Sequence, residues 1–387
     1  MRYLSLFSGI EAATQAWQSL GWECVAVSEI EPFPCAVLEH HYPHVPNLGD
    51  VTKITEQQIK DLGQIDLIVF GSPCQNLSVA GNRKGFEGEQ SSLFYAAMEI
   101  IKYAKRHCKT RFALWENVCG AFSSNKGADF TEVVKHMAGL NELNTPKNGW
   151  GKEGAAVGSN GLLEWAVLDA QWFGLAQRRK RVFAIVDFGE WASRPPILLE
   201  RESLRGDSAP SREARESATA NAQTGFTKQG HGDCGNCGVG STCTAHQSKD
   251  CSDLIVCHGT QDPITNNETA YALGCNSGQE NVVALAVSDV CGTLTRSHGD
   301  RGVCMDSFAS GQCAIGKGYV RRLTPIECER LQGFPDDFTK IPYRNKSADD
   351  CPNGVRYKAL GNSMAVNVMA WIGQKIQQAV AIKVYGV

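Results

Sequence analysis

The 387-residue chain lacks a basic excess: 38 lysines and arginines face 41 aspartates and glutamates, a net charge of −3. A global positive field of the kind that steers a protein onto nucleic acid is therefore excluded, and such contacts must come from local patches. Apolar runs of membrane-spanning length are missing as well. The opening segment Met1 to Ser8 is followed by Glu11, which interrupts the apolar stretch, and nothing resembles a signal-peptide cleavage region. What is plentiful is cysteine, with 16 residues. Without a secretory signal these predict reduced thiols in a cytoplasmic protein. Two domains are the expectation at this length.

The organising stretch is Asp66 to Ser78. Leu67 to Phe70 is short, β-branched and bounded by turn residues, as in a strand buried on both faces of a parallel sheet. Gly71-Ser72-Pro73 ends it and presents Cys74. In open α/β sheets reactive groups lie beyond the carboxyl ends of strands, although a lone cysteine is more often a packing residue. Upstream, Tyr3 to Phe7 predicts a first strand, Ser8 to Glu11 a turn and Ala12 to Leu20 a helix. Gly9 would let a ligand approach the backbone there. Cys24 to Ser28 predicts a second strand ending in Glu29, about twenty residues after the glycine turn, where a carboxylate can accept from ribose hydroxyls. Asp50, after Gly49, offers a second acceptor suited to an adenine amino group.

Downstream of Cys74, the glycine-rich and basic segment Asn82 to Gly88, with Arg83 and Lys84, predicts a loop able to act as a lid. A helix over Ser92 to Lys105 and a strand over Phe112 to Trp115 follow, the strand running into Glu116-Asn117-Val118. Asn141 to Gly161 is polar, lacks periodicity and is expected to be a surface insertion without chemistry. Strands are expected over Leu163 to Ala170 and Arg181 to Val186. Between them, Arg178 to Arg181 places four basic side chains in a row, suited to phosphate contacts or simply to solvent.

From Trp191 to about Lys317 the chain is rich in Gly, Ser, Thr, Asn and Cys, as in a second domain of short strands and long loops. Four loosely similar pieces, at Ala218, Thr242, Pro263 and Gly292, suggest a degenerate hairpin repeat. Cys234-x2-Cys237 with Cys243, Cys251, Cys257, His231, His246 and His258 suggests zinc, but one Cys-x2-Cys without a second knuckle falls short, and no metal is expected. Regular structure returns at Arg321 to Pro335, where Thr324 caps a helix opened by Pro325. An apolar helix over Val366 to Ile376 closes the chain against the first domain.

In this order the residues resemble the DNA (cytosine-5)-methyltransferase family, over about three-quarters of the chain. Phe7-Ser-Gly9 is similar to the family's first cofactor motif, Glu29 and Asp50 to its ribose and adenine acceptors, and Gly71-Ser-Pro-Cys74-Gln to its nucleophile motif. Glu116-Asn-Val resembles the catalytic acid, Gln177-x-Arg179-x-Arg181 the substrate-side arginines, Arg322 to Pro335 the penultimate motif and Gly361-Asn-Ser363 the last cofactor motif. One departure stands out. The family has Phe-x-Gly-x-Gly in its first motif, and here the second glycine is Glu11.

The resemblance implies an α/β fold, with an S-adenosylmethionine-dependent, Rossmann-like catalytic domain at 1–190 plus 353–387. A smaller, mostly β target-recognition domain would occupy 191–352. Cofactor contacts are implied for Phe7, Ser8, Gly9, Ile10, Glu29 and Ile30. Further contacts are implied for Asp50, Val51, Pro73, Leu93, Asn362 and Ser363, with S-adenosylhomocysteine as product. Cys74 would attack cytosine C6, Glu116 would hold a proton at N3 with a carboxyl raised by partial burial, Arg181 would contact O2, and Arg179 a phosphate or the loop. Duplex DNA contacts are implied for Ser78, Arg83, Lys84, Gln177 and Arg178, around a base flipped out of the stack. A monomer with no membrane partner is the further expectation, and a place in restriction-modification stands beside a host-genome or a viral role.

Three rivals share parts of this pattern. A tRNA-methylating branch keeps the chemistry, but the long domain after Trp191 suits a reader of duplex sequence. A catalytically idle DNA-binding protein would not need Cys74, Glu116 and Arg181 together. A dinucleotide oxidoreductase is disfavoured because Gly9 lacks the following glycines of that fingerprint.

Overall fold

The computed structural model describes residues 1–72, 89–199, 253–258, 265–266, 270–271, 281–286 and 320–385. Cys74, Pro73, Ser78, Arg83 and Lys84, most of the cysteine-rich segment and three of the four repeat-like pieces lie outside them. Two compact units divide the chain. Met1–Asp169, Lys180–Arg205 and Met364–Val387 form the first, and Ala170–Arg179 with Gly206–Ser363 the second. The borders implied by the resemblance are 190/191 and 352/353.

Strands β1 (Arg2–Leu6), β2 (Glu23–Ser28), β3 (Leu67–Phe70) and β4 (Phe112–Val118) are parallel neighbours in the first unit. β5 (Glu153–Gly158), β6 (Gly161–Asp169) and β8 (Lys180–Asp187), with the two-residue β7 (Gln177–Arg178) before it in the chain, follow in sequence. The sheet runs β2-β1-β3-β4-β8-β6-β5, antiparallel from β4 onward. β3 is buried along its whole length, as its continuous apolar run requires. Helices cover it: α1 (Ala12–Trp17), α2 (Pro32–His41), α3 (Glu56–Asp61), α4 (Glu89–His107) and α5 (Ala128–Ala138). Mixed sheet and flanking helices make this the S-adenosylmethionine-dependent methyltransferase architecture.

The stretch expected to be an inert insertion is structural. β5 pairs with β6 as the sheet's edge, and its Gly154 lies against the Trp165 ring, where a Cβ would come within 2.2 Å. Trp150 stands edge-on to Phe130 at 5.0 Å and donates its indole N–H to the Gly127 carbonyl at 2.9 Å. Small residues alternating along an edge strand give little hydrophobic signal, which hid it from periodicity. Residues 191–199 are also part of this unit. Buried Arg194 bonds Asp187 at 2.7 Å and Glu164 at 2.6 Å, and Glu164 accepts the amides of Ile197 and Leu198. Burial pulls the Asp187 carboxyl up, and Arg111 and Arg194 more than offset it, holding it below its usual range.

In the second unit, β9 (Asp253–His258), β10 (Thr265–Asn266), β12 (Asn281–Ala286) and β13 (Val320–Arg322) form an antiparallel sheet, and β11 (Ala270–Tyr271) pairs with β7. The described strands are short, as the composition implied. α6 (Pro325–Gln332) has the expected Thr324 cap, which Glu327 completes into a capping box, and α7 (Asn353–Asn362) follows. No helix among the described residues is long and apolar enough to cross a membrane.

α8 (Val366–Tyr385) returns to the first unit and packs on α1, accepting the Trp17 indole N–H at the Met369 carbonyl, 2.7 Å away. Gly373 is what lets it approach: a Cβ there would meet Trp17 Cδ1 and Nε1 at 2.5 Å. Gly373→Ala gains about 1 kcal/mol of helix propensity but overpacks a hydrogen-bonded ring at about 1–3 kcal/mol. The net expectation is a Tm lowered by a few degrees in calorimetry, and an unchanged or raised Tm would contradict this packing.

Candidate active site

The parallel strands of the first unit end together, and each hands over to a sequence motif. After β1 the backbone turns left-handed at Phe7 (φ 54°), Gly9 (φ 55°) and Glu11 (φ 64°). Glu29, just past β2, fixes this turn by accepting the Gly9 amide at 2.8 Å on one oxygen and those of Ile30 and Glu31 on the other. Ser8 is stitched to the same strand end, exchanging bonds with Ser28. A Cβ built on Gly9 or Gly49 meets nothing within 4 Å, so the backbone at both is open to a ligand. Ile30 is 67% exposed beside them, while Ile10 and Val51 are buried and Leu93 half-buried. Asp50 caps the short turn after it, accepting from Thr52 amide and hydroxyl, and those bonds hold its carboxyl below the ordinary range.

A half-open carboxylate next to apolar Ile30 and a glycine turn without side chains is a donor set that fits a nucleoside. Glu29 keeps lone-pair capacity beyond its three amides. The residues therefore fit S-adenosylmethionine, which Glu29 and Asp50 would hold through hydroxyl and amino groups.

The ends of β3 and β4 are tied crosswise. Trp115 donates its buried indole N–H to Ser72 Oγ at 3.2 Å, and Asn117 Nδ2 donates to the Ser72 carbonyl at 2.6 Å. A Cβ on Gly71 would lie 3.5 Å from Glu116 Oε2, so the carboxylate sits beside the chain just before Pro73. Glu116 pairs in register with Phe183 and Val118 with Arg181, which makes Glu116 and Arg181 diagonal neighbours on one sheet face. Their side chains meet at 3.3 Å, only 13% and 17% exposed. Val118 is 48% exposed at the same strand end.

The basic run divides by strand alternation. Arg178 and Lys180 are exposed, whereas Gln177 and Arg179 are buried in the second unit. Gln177 Nε2 donates to the Leu331 carbonyl at 2.8 Å, and Arg179 Nη2 to the carbonyls of Gly361 and Ser363 at 3.0 and 2.6 Å. Both side chains, for which the resemblance implied DNA (Gln177) and a phosphate or the loop (Arg179), donate here to this unit's own backbone, since along an extended segment every second side chain turns inward. The same bonds join three motifs far apart in sequence, with Asn362 exposed and Ser363 buried between them. Glu11, which stands where the family has its second glycine, is 1% exposed. Among the described residues no cluster could hold a metal ion.

The Ser72–Trp115 bond is testable. Ser72→Ala leaves a buried indole N–H unsatisfied, a loss of about 1–3 kcal/mol. Trp115→Phe removes the donor, so the double variant should recover part of the sum in denaturant titrations. Strict additivity would mean that the bond does not form.

Comparison with known proteins places this geometry. The C-5 cytosine-specific DNA methylase model matches residues 1–189 and 211–378. A protein of Escherichia phage P1 named DNA N-6-adenine-methyltransferase is 32% identical over 98% of this chain, which spans 61% of that relative's length. Type II methyltransferase M.HhaI of Haemophilus parahaemolyticus is 26% identical over 100% of this chain and 97% of its own length. Among solved structures, Dnmt2 of S. pombe has a TM-score of 0.54 at 16% identity, covering 97% of this chain and 98% of its own, a likeness of fold alone. Since the family match runs through every strand-end motif above and on to residue 378, the chain belongs to the C-5 cytosine-specific DNA methylases.

Proposed function

We propose that the protein methylates C5 of cytosine in duplex DNA at a specific sequence, through a covalent Cys74 adduct on a flipped-out base. The observation that carries this reading is the pairing of Glu116 with Arg181 beside the Gly71-Ser72 strand end, which leads directly into Pro73-Cys74. Cytosine C5 is a poor nucleophile, so electrons must first be pushed into the ring. Cys74 adds to C6 while Glu116 holds a proton at N3 against the negative charge that develops on the ring. Arg181, fixed by its ion pair, orients the base through O2. S-adenosylmethionine, when bound, supplies the electrophilic methyl group that C5 takes. Loss of the C5 proton with expulsion of the Cys74 thiolate restores the ring.

Flipping a base costs about a few kcal/mol, which contacts to the backbone offset. Arg83, Lys84 and Ser78, together with exposed Arg178, are the side chains we assign to that clamp. The region from 191 to 352 would read the sequence, and a monomer suffices for the reaction. Family membership favours DNA over tRNA, and the intact catalytic trio speaks against an idle binding protein.

The test is transfer of labelled methyl groups to mixed-sequence duplex DNA, followed by bisulfite sequencing. Methylated cytosines in one short context support the proposal. Methyl groups on adenine N6, as the phage relative's name describes, or on tRNA alone, overturn it. Cys74→Ala should abolish transfer while retaining S-adenosylhomocysteine binding, and Glu116→Gln should lower kcat by about a hundredfold or more. Near wild-type turnover in Cys74→Ala would end the covalent mechanism.

A further inference from the structure

The first cofactor turn carries a residue that local chemistry does not favour. At φ 64°, ψ 62°, position 11 is left-handed, a conformation that glycine enters freely and other residues at about 1–2 kcal/mol. This chain places a glutamate there, and buries it.

The side chain is built into the fold. Glu11 Oε1 accepts from the Thr14 amide and hydroxyl, both at 3.3 Å, capping α1. Thr14 Oγ1 is 2.6 Å from the hydroxyl of Tyr3, on β1. The Glu11 amide in turn donates to the Ser8 carbonyl at 3.0 Å, so the turn from 8 to 11 closes on itself and is pinned to strand and helix at once. Among the described residues Oε2 is buried with no hydrogen-bond partner. The groups around the carboxyl are all neutral near pH 7: Tyr3 and Ser5 from β1, Thr14 from α1, Cys24 from β2 and, farther off, Tyr42 after α2. Burial and the nearby Glu11 charge push the Tyr3 and Cys24 protons well above their usual ranges.

We infer that Glu11 is a positioning residue for the cofactor turn: its buried carboxyl holds Phe7 to Ile10 in a binding shape that a glycine at position 11 would leave loose. The inference rests on the cofactor reading above. Two effects of Glu11→Gly on stability oppose each other, since losing the cap destabilises by about as much as releasing the left-handed strain stabilises. On affinity they act together, because the freed turn must be ordered by the ligand. Glu11→Gln keeps the acceptor for Thr14 and cannot ionise.

The acid gives a second readout. Burial pushes Glu11 up to about 7, against the hydroxyls of Ser5 and Thr14. A carboxyl raised on folding binds its proton more tightly in the folded state. Its ionisation therefore removes stability as pH climbs from its unfolded value of 4.5 through about 7. Wild type should lose Tm relative to Glu11→Gln over that window, and the gap should stay constant above it.

The experiment is calorimetric titration of the full-length protein with S-adenosylhomocysteine, alongside Tm from pH 5 to 8.5. We expect Glu11→Gly to bind about five- to tenfold more weakly with Tm nearly unchanged, and Glu11→Gln to bind within about threefold of wild type. Wild-type affinity in Glu11→Gly, equal weakening in Glu11→Gln, or a pH-independent Tm gap would each overturn the inference. Should Glu11→Gly fail to fold, Thr14→Val cuts the same link and should weaken binding in the same direction, with unchanged affinity counting against it. Absence of binding in the wild type would instead overturn the cofactor reading itself.

Discussion

Where a β-strand stops, its next backbone groups lose their ladder partners, and the functional end of this sheet is made of the side chains that satisfy them. Glu29 accepts the Gly9 amide, Ser8 bonds the end of β2, and Asn117 holds the Ser72 carbonyl. Each such bond is worth only about 0.5–1.5 kcal/mol net. Their value lies in direction. A side chain that must reach a particular carbonyl or amide cannot also wander, so satisfying the backbone fixes where Glu29 stands and where Glu116, next to Asn117, faces. The chemistry borrows its rigidity from ordinary hydrogen-bond satisfaction.

That dependence explains what could be read from the sequence. Strand and turn lie within a few residues of each other at β1, β2 and β3, so local patterns predicted these elements and placed Glu29 just past β2 as the structure has it, while β4 runs on beyond the expected end at Trp115 and takes Glu116 into the strand. The cap at Thr324 and the closing helix are equally local signals. What escaped depends on partners distant in the chain. Whether Gln177 and Arg179 point outward is decided by carbonyls near 331 and 361, and no pattern around 177–181 contains that information. β5 became a strand because Trp165 and Phe130 supply the surface it and Trp150 cover. Arg194 reads as part of a polar stretch until Asp187 and Glu164 are seen to enclose it.

Buried acids in the first unit show two different physical situations. Glu164 receives Arg194 and the amides of Ile197 and Leu198, and Asp187 receives Arg111, Arg194 and the Gly189 amide. Removing a charge from water is unfavourable, but here cations and donors compensate it, and the result closes the edge of the unit. Glu11 is as deeply buried, yet no cation contacts it among the described residues and one of its oxygens is unmatched. Packing alone would favour a glycine at that left-handed position, which requires neither strain nor desolvation. A chain that keeps strain, burial and an unmatched oxygen together at one residue violates three local preferences at one point, and such points are where function overrides stability. The turn that Glu11 closes is also the one that Glu29 fixes from the other side, so two acids, one paired with amides and one capping α1, define the same five residues.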